Sequence, residues 1–425
     1  MIICGSFLLS LPIASKGEPL GAVDALFTAT SAVCVTGLVV ADTGTQFTYF
    51  GQAVILVLIQ LGGLGLMTMA TMMAILLGKR ISFRNRLIMQ EALNQFTPEG
   101  MVRLVKAVGL VTFLFEGAGA LLLSLRFVPE YGWSQGLWYG VFHSISAFCN
   151  AGFDILGSLR SFGPYASDWL VNLVLMTLVI AGGLGFSVIA ELWQKRHTKN
   201  QHHNWSLHTR LVLLTTLLLI VIGTAFILLV EWDKALKDFS VPGKFLAALF
   251  QAVSPRTAGF SSLPLYGLHE STLLMIIILM FIGASPGSTG GGIKTTTFGV
   301  LLALVVSSVR GHDEVRIFAR RIPEDIVKRA ITIMVLGFAL VLSVTMVVCL
   351  VEGLSLMPAV FEAASAFSTS GLSLGVTSML SPIVKIVISL TMFTGRVGPM
   401  SLAFAVAHDR VNARISYPEE RIIVG

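Results

Sequence analysis

The chain has 425 residues, of which 55% are hydrophobic and 12% are charged, and its mean hydropathy is +0.83. Soluble domains carry roughly 25% charged residues, so this composition excludes a soluble catalytic or nucleotide-binding domain and predicts an integral membrane protein. The net charge of +6 gives no support to nucleic-acid binding, and the four cysteines lie in apolar or pore-like segments that indicate no disulfide framework.

Seven apolar segments are long enough to cross a bilayer, which takes about 20 residues. In chain order they are residues 50–77, 104–125, 170–193, 211–230, 273–306, 331–351 and 383–408. An eighth segment, residues 1–13, is shorter than the roughly 17 residues that a span requires, so we expect a short or truncated first helix. A signal peptide is the alternative for this stretch, although it lacks a basic region.

The distribution of lysine and arginine predicts which loops are cytoplasmic. The connections 78–106, 194–210 and 310–329, together with the tail after His408, hold 19 of the 29 basic residues. Because cytoplasmic loops are enriched in lysine and arginine, these connections and the C-terminus are predicted to be cytoplasmic. Anionic lipid or an acidic partner is a secondary interpretation of the same charge.

Four short segments between the spans resemble one another, and each ends in a small residue, a glycine and an apolar residue. They are 29–38 (ATSAVCVTGL), 144–153 (SISAFCNAGF), 251–260 (QAVSPRTAGF) and 363–372 (AASAFSTSGL), and their glycines lie 107 to 115 residues apart. This repetition predicts an all-α polytopic membrane protein with four pseudo-symmetric helix–pore-loop–helix repeats around a central pore. The predicted repeats are residues 1–77, 78–193, 194–308 and 309–425.

The loop at the end of each segment is a candidate selectivity filter. Its twelve residues are Val35, Thr36, Gly37, Asn150, Ala151, Gly152, Thr257, Ala258, Gly259, Thr369, Ser370 and Gly371. None is a carboxylate, so backbone carbonyls would coordinate a dehydrated cation. The preceding half-spans are predicted to be pore helices whose C-terminal dipoles favour a cation. A single small-small-glycine sequence would favour close helix packing, but four in similar register favour a filter.

The third inner segment is interrupted by residues 283–293 (GASPGSTGGGI), which contain five glycines and Pro286. Such a run cannot continue as a regular helix, so we expect an intramembrane gating loop. Arg396 follows the filter glycine Gly371 by 25 residues, and Gly283 follows the filter glycine Gly259 by 24. This spacing predicts that Arg396 and the loop lie at a similar depth in the membrane below the filter. The candidate gate residues are Gly283, Ser285, Gly287, Gly290, Gly291, Gly292 and Arg396.

Two alternatives apply to this gate. Arg396 could instead link neighbouring helices structurally, because an arginine in a membrane needs acceptors. The run from Gly287 to Thr295 nearly matches a phosphate-binding loop, but Ile293 breaks the spacing and no buried strand precedes it. Lys294 is therefore expected to extend toward the cytoplasm.

Several other charged residues fall in or near the pore segments. Asp24 and Glu362 are expected near the starts of the first and fourth pore helices, where they would cap or stabilise the helix dipole. Attraction of cations to the outer mouth is the alternative for both. Arg256 is expected to brace the third filter loop through carbonyls, and Glu116 to make an interhelical hydrogen bond.

Taken together, these motifs resemble the KtrB/TrkH family of potassium transporters over nearly the whole chain. The resemblance rests on the four repeats, on the sequence GGLG at 62–65 and 182–185, and on GRVGP at 395–399. The sequences DTGTQF (42–47) and QEALNQ (90–95) resemble the KtrB branch.

The resemblance implies potassium uptake through the cell membrane of a bacterium, stimulated by sodium in many relatives. It also implies a homodimer with one pore per protomer, a cytosolic nucleotide-binding RCK-type regulatory ring, and an intramembrane gate of loop and arginine. It implies no cofactor in this chain, potassium being the transported ion, and no enzymatic activity.

Two other functional classes remain as alternatives. A membrane enzyme would need a paired nucleophile and base or metal ligands, and His143, the only pore-segment histidine, has no such partner in the sequence. A secondary cation transporter with alternating access usually has broken helices at a midplane site. The sequence indicates only one clearly broken helix, which favours a pore.

Overall fold

The computed structural model describes residues 1–65, 68–69, 72, 101–157, 161–197 and 205–398. These residues form fifteen α-helices and one two-stranded hairpin, which confirms the all-α prediction. Residues 90–95 and the tail after His408, on which parts of the sequence interpretation depend, lie outside this description.

The helices follow one another in a regular order. They are α1 (Ile2–Ser10), α2 (Ala22–Val33), α3 (Thr43–Gln46), α4 (Tyr49–Leu64), α5 (Met101–Tyr131), α6 (Trp133–Phe148), α7 (Trp169–Leu184), α8 (Phe186–His197), α9 (Leu207–Glu231), α10 (Val241–Val253), α11 (Glu270–Phe281), α12 (Thr295–Val309), α13 (Glu324–Glu352), α14 (Leu356–Ser368) and α15 (Pro382–Val397).

Three long outer helices, α5, α9 and α13, each precede a shorter pore helix. Each has an apolar stretch of 25 to 29 residues, long enough to cross a membrane. The first repeat has only the nine-residue α1 in the corresponding place, as expected for a short first helix. Each repeat therefore contributes an outer helix, a pore helix and an inner helix, while the predicted repeat boundaries stay a prediction.

Three of the inner helices end at a glycine. Helix α4 ends at Gly65, α7 at Gly185 and α15 at Gly398, and these glycines have φ of +80°, +94° and +96°. Between α7 and α8 the axis turns by 100°. The predicted apolar segments 50–77, 170–193 and 383–408 thus each contain a helix end at a glycine of positive φ, and residues 66–67, 70–71, 73–77 and 399–408 of these segments lie outside the described part of the chain. In the third repeat the inner span divides into α11 and α12, as the glycine-rich run predicted.

The ring of helices closes where α15 packs against α2. The Lys385 ammonium lies 2.7 Å from the Asp24 carboxylate in the first turn of α2, and the Lys385 side chain is 10% exposed. Asp24 therefore stabilises the positive end of its helix and also ties the first repeat to the fourth.

A basic hairpin connects α12 to α13. Its antiparallel strands are β1 (Arg316–Ile317) and β2 (Arg320–Arg321). Ile317 is buried in a small apolar cluster with Leu211 of α9 and Val300 of α12. The hairpin is consequently packed against the helices rather than projecting freely.

Candidate functional site

The predicted filter residues follow the four pore helices, at once or after one residue in three repeats and after three residues in the third, and the structure brings them together. In each repeat the first filter residue is left-handed without being glycine: φ is +57° at Val35, +58° at Asn150, +73° at Thr257 and +53° at Thr369. Such values are uncommon for residues with a side chain, and they cluster at functional sites. Four repeats with different sequences thus adopt the same backbone conformation at the same point.

The third filter residue is glycine in every repeat because another backbone approaches it. A Cβ atom on Gly37 would lie 2.4 Å from the Ala151 carbonyl oxygen, and one on Gly152 would lie 2.7 Å from that of Ala258. Likewise, a Cβ atom on Gly259 would lie 2.4 Å from the Ser370 carbonyl oxygen, and one on Gly371 would lie 2.1 Å from that of Thr36. Only glycine fits such contacts.

These contacts fix the order of the repeats around the ring. Each glycine meets the central carbonyl oxygen of the next repeat in the chain, and the fourth repeat meets the first. Four main-chain oxygens, from Thr36, Ala151, Ala258 and Ser370, therefore come together with the four glycines. Oxygens of this kind can replace the water around a dehydrated cation.

Side chains behind the filter link its segments. The Ser31 hydroxyl accepts a hydrogen bond from the Gly37 N–H at 3.0 Å, and the Ser146 hydroxyl donates to the Phe153 carbonyl at 2.8 Å. Ser254 donates similarly to Phe260. Ser365, in the fourth repeat, departs from this pattern because its buried hydroxyl has no hydrogen-bond partner among the described residues.

Two further bonds join neighbouring repeats at filter level. The Asn150 amide and the Thr257 hydroxyl lie 3.1 Å apart, and the Ser370 hydroxyl donates to the Pro255 carbonyl at 3.0 Å. All of these side chains are buried. No local sequence pattern predicts these links, because they join residues more than a hundred positions apart.

A cavity of ≈ 160 Å³, here called the outer vestibule, opens on the side of the filter away from the pore-helix ends. The four filter glycines, Asp42 and Asp154 are among its lining residues, and no lysine or arginine is among the lining residues that the structure describes, Arg160 lying outside that description. Burial and the nearby Asp42 carboxylate together raise the pKa of Asp154 to about 7, against the opposing effect of the N–H groups of Leu156 and Gly157. The described lining of the cavity is therefore acidic.

On the opposite side of the filter lies the glycine-rich loop between α11 and α12. The Gly291 N–H donates to the Thr369 hydroxyl at 3.0 Å. A Cβ atom on Gly290 would lie 2.1 Å from the Thr257 hydroxyl oxygen. The loop thus lies directly against the third and fourth filter segments.

The loop is also bonded to the second inner helix. The Ser285 N–H donates to the Gly183 carbonyl at 3.0 Å, and the Phe186 N–H donates to the Gly287 carbonyl at 2.9 Å. The Ser285 hydroxyl lies 2.9 Å from the hydroxyl of Thr295, the first residue of α12. A Cβ on Gly283 would lie 2.3 Å from the Gly291 oxygen, and Gly287 and Gly292 have φ of +64° and +68°. The loop crosses from the third repeat to the second in an ordered conformation.

Arg396 joins this loop to the first repeat. Its guanidinium donates to the carbonyls of Thr289 in the loop and of Gly62 and Gly63 at the end of α4. Between them, Arg396 and the loop contact all four repeats beneath the filter. Each of these carbonyls is near a helix break or in the loop, which supplies the acceptors that a membrane arginine requires.

The structure corrects three smaller expectations. The Lys294 ammonium donates to the Gly290 carbonyl at 2.7 Å, within the loop, rather than extending away from it. Glu362 is the seventh residue of α14, so it does not lie at the start of that pore helix. Arg256 bonds the hydroxyl of Thr216 on α9 at 3.3 Å rather than filter carbonyls. Glu116 does make the expected interhelical bond, accepting from Gln60 at 3.1 Å.

Sequence comparisons relate the chain to cation transport proteins. The TrkH family, described as cation transport protein, matches residues 3–413. The Ktr system potassium uptake protein B of Bacillus subtilis is 44% identical over 427 residues, covering 100% of this chain and 94% of the relative. The potassium/sodium uptake protein NtpJ of Enterococcus hirae is 37% identical over 435 residues, covering 100% and 95%.

The fold is similar to that of a known transporter. The crystal structure of the potassium transporter TrkH from Vibrio parahaemolyticus matches with a TM-score of 0.73 over 91% of this chain and 79% of that one. The sequence identity between the two is 17%, so this match bears on the fold alone.

Proposed function

Because this chain belongs to the TrkH family of cation transport proteins, we propose that it takes up potassium ions across the cell membrane through a fourfold pore-loop filter. The observation that carries the proposal is the contact of each filter glycine with the central carbonyl of the next repeat. The name of the Bacillus relative, a potassium uptake protein, supports the choice of ion.

Coordination by four main-chain oxygens explains how the filter would act. A cation entering the membrane must exchange its water ligands for other oxygens, and carbonyls of Thr36, Ala151, Ala258 and Ser370 would supply them without the strong trapping of a carboxylate. The pore-helix C-termini add partial negative charge. Because each filter loop is short, we expect about one well-formed site.

The glycine-rich loop and Arg396 would form the gate. The loop lies against Thr257 and Thr369, so an ion leaving the filter would meet it before any other obstacle. Arg396 would hold the loop by its carbonyl bonds and place a positive charge on the ion path. Displacement of the loop and of Arg396 would open the ion path. The hydrogen bonds from Arg396 to Gly62 and Gly63 of α4 would have to break in the same movement.

The regulation and assembly of the transporter follow from family membership. We include in the proposal a homodimer with one pore per protomer, a cytosolic nucleotide-binding RCK-type ring and a cytoplasmic C-terminus. Sodium would stimulate or accompany transport, consistent with the potassium/sodium uptake named for the Enterococcus relative. No cofactor or enzymatic activity is part of the proposal.

A secondary cation transporter with alternating access is the second candidate. The left-handed glycines that end α4, α7 and α15 favour it, because transporters place ion sites at broken helices. An obligatory ratio of sodium to potassium movement would identify this mechanism, whereas potassium flux without sodium would identify a pore.

The test is tracer flux of potassium and sodium into liposomes containing the purified chain, with Gly371→Ser alongside. The wild type should pass potassium in preference to sodium, and the serine should reduce that preference because its Cβ meets the Thr36 oxygen. Equal preference in both proteins would overturn the filter assignment. If the chain alone passes neither ion, the same comparison is made with the regulatory ring present.

A further inference from the structure

The segments that follow the four filter glycines form the wall of the outer vestibule, and two of them are held by an ionisable side chain of the pore helix. The relevant position lies nine residues before each filter glycine. It is occupied by Thr28, His143, Phe250 and Glu362 in repeats one to four. The repeats thus differ chemically at a position that the fold makes equivalent.

In the fourth repeat, Glu362 makes several hydrogen bonds to the segment that follows Gly371. Its side chain is fully buried, and its carboxylate accepts a hydrogen bond from the Ser373 hydroxyl. The Thr377 hydroxyl lies 3.1 Å from the second carboxylate oxygen, and the Leu374 N–H also donates to Glu362. The Leu374 N–H can only donate to this carboxylate, whereas the Ser373 and Thr377 hydroxyls can donate or accept.

Ser373 and Thr377 connect Glu362 to the ion path, because both line the outer vestibule. Ser373 follows the filter glycine Gly371 by two residues, and its hydroxyl accepts from the Gly375 N–H at 3.0 Å. The carboxylate therefore fixes the backbone just outside the filter without itself facing the ion.

In the second repeat, His143 makes the corresponding link. Its Nδ1 lies 2.7 Å from the Tyr139 carbonyl oxygen, so Nδ1 carries the hydrogen and Nε2 is the acceptor. Nε2 accepts from the Ile155 N–H at 3.2 Å. Ile155 follows Asp154, which lines the vestibule. The imidazole is fully buried against Phe127 and Phe162, which fixes its orientation.

In the described structure, the first and third repeats have no ionisable side chain at this position. The Thr28 hydroxyl donates to the Asp24 carbonyl within its own helix, and Phe250 is apolar. Since the glycine contacts run from each repeat to the next and from the fourth to the first, the second and fourth repeats lie opposite one another in the ring. The ionisable links are therefore arranged twofold around a fourfold filter.

We propose that Glu362 and His143 are positioning residues that set the outer rim of the filter, and that discrimination between potassium and sodium depends on them. This inference rests on the proposed potassium filter. One way to select a dehydrated ion is to keep its oxygen ligands at a fixed separation. Hydrogen bonds that hold the segments after Gly152 and Gly371, here called tethers, would restrain the ring of carbonyls from closing around a smaller ion. Because neither side chain touches the ion, the residues act through Ser373, Thr377 and Ile155.

The first variant is Glu362→Gln, which keeps the shape of the side chain but turns one acceptor into a donor. The NH₂ group of the amide cannot accept from the hydroxyl or N–H that faces it. We expect the ratio of potassium to sodium flux in liposomes to fall by about threefold or more. Thr28→Val is the matched control, because in the described structure the Thr28 hydroxyl donates to the Asp24 carbonyl of its own helix. The ratio of potassium to sodium flux in this variant should equal that of the wild type.

A double-mutant cycle separates positioning from a general loss of stability. The double variant Ser373→Ala, Thr377→Val removes the two hydroxyls that bond to Glu362. Adding Glu362→Gln to this double variant should lower the potassium-to-sodium flux ratio little further. An equal fall in both backgrounds would contradict the proposal, as would a Glu362→Gln protein with the wild-type ratio. His143→Phe, which keeps a ring but loses the acceptor, tests the opposite tether if Glu362 variants do not accumulate, and its ratio should also fall.

Gly371→Ser, measured in the same liposomes, distinguishes failure of this inference from failure of the proposed function. If the serine lowers the flux ratio while Glu362→Gln and His143→Phe leave it unchanged, the tethers are not determinants of selectivity and the filter stands. If Gly371→Ser also leaves the ratio unchanged, the filter assignment fails, and this inference fails with it.

Discussion

The filter and the loop beneath it are both rich in glycine, but for different reasons. In the filter, one glycine per repeat faces a carbonyl of the next repeat, so a residue without a Cβ atom is required at four places around the ring. In the loop, glycines of the third repeat alone make room for Thr257 and Thr369. Coordination of an ion on an axis requires symmetry, whereas a movable obstruction requires that one repeat differ from the others. We therefore expect changes in the filter to alter which ion passes, and changes in the loop to alter how fast it passes.

The largest effect should follow from breaking the ring itself. Gly259→Ser brings a Cβ atom to 2.4 Å from the Ser370 oxygen and imposes a side chain at φ +80°. We expect the potassium-to-sodium flux ratio to fall by about tenfold or more, equivalent to ~1.4 kcal/mol. Gly267→Ser is the control, because a Cβ there meets nothing within 4 Å. An unchanged ratio in Gly259→Ser would remove the distinction between the two regions.

Deletion of residues 285–291 should change rate without changing selectivity. The deletion removes the segment that lies against the filter, so basal potassium flux should rise by about fivefold, equivalent to ~1 kcal/mol. The flux ratio should stay at the wild-type value. A protein that purifies normally but carries less potassium would argue against a blocking loop.

Arg396→Gln should have a smaller effect in the same direction. It removes charge-assisted bonds to Thr289, Gly62 and Gly63, each worth roughly 1.5–3 kcal/mol, although the loop keeps its backbone bonds to α7. We expect basal flux to rise by about threefold, with Arg396→Lys intermediate because lysine lacks the planar fork. If flux and protein yield instead fall together, Arg396 is a structural link between helices.

The smallest effect concerns the acidic outer vestibule. With the pKa of Asp154 raised to about 7, its carboxylate ionises as the external pH rises through neutrality, so apparent affinity for potassium should increase over that interval. One unit charge several ångströms from the ion in water is worth about 0.5 kcal/mol, or about a twofold change. Asp154→Asn should abolish this pH dependence of uptake, and a variant that keeps it would assign the titration to another group.

The parts of the fold that repeat were predictable from sequence, and those that depend on neighbouring repeats were not. Composition and four like segments predicted the helices and twelve candidate filter residues, which the structure brings together and whose role as a filter stays a prediction. Gly65, Gly185 and Gly398 escaped prediction as helix ends, because a single glycine in an apolar run is tolerated by many helices. The run at 283–293 was recognised because it combines five glycines with a proline.

Buried polar links were the least predictable part of the candidate site. Lys385 and Asp24 are separated by 361 residues, and Arg396 and Gly62 by 334, so no local pattern relates them. Glu362 was expected at a helix start because α14 begins earlier than its pore segment suggested. Its bonds to Ser373 and Thr377 become visible only once the chain has turned back past the filter.

Crystals of the protein grown with thallium, a potassium substitute that scatters anomalously, would show where the ion binds. We expect an anomalous peak on the axis between the carbonyl oxygens of Thr36, Ala151, Ala258 and Ser370. We also expect the peak to disappear in Gly371→Ser. A peak bound only by the carboxylates of Asp42 and Asp154, with none among the four carbonyls, would contradict a filter built from the backbone.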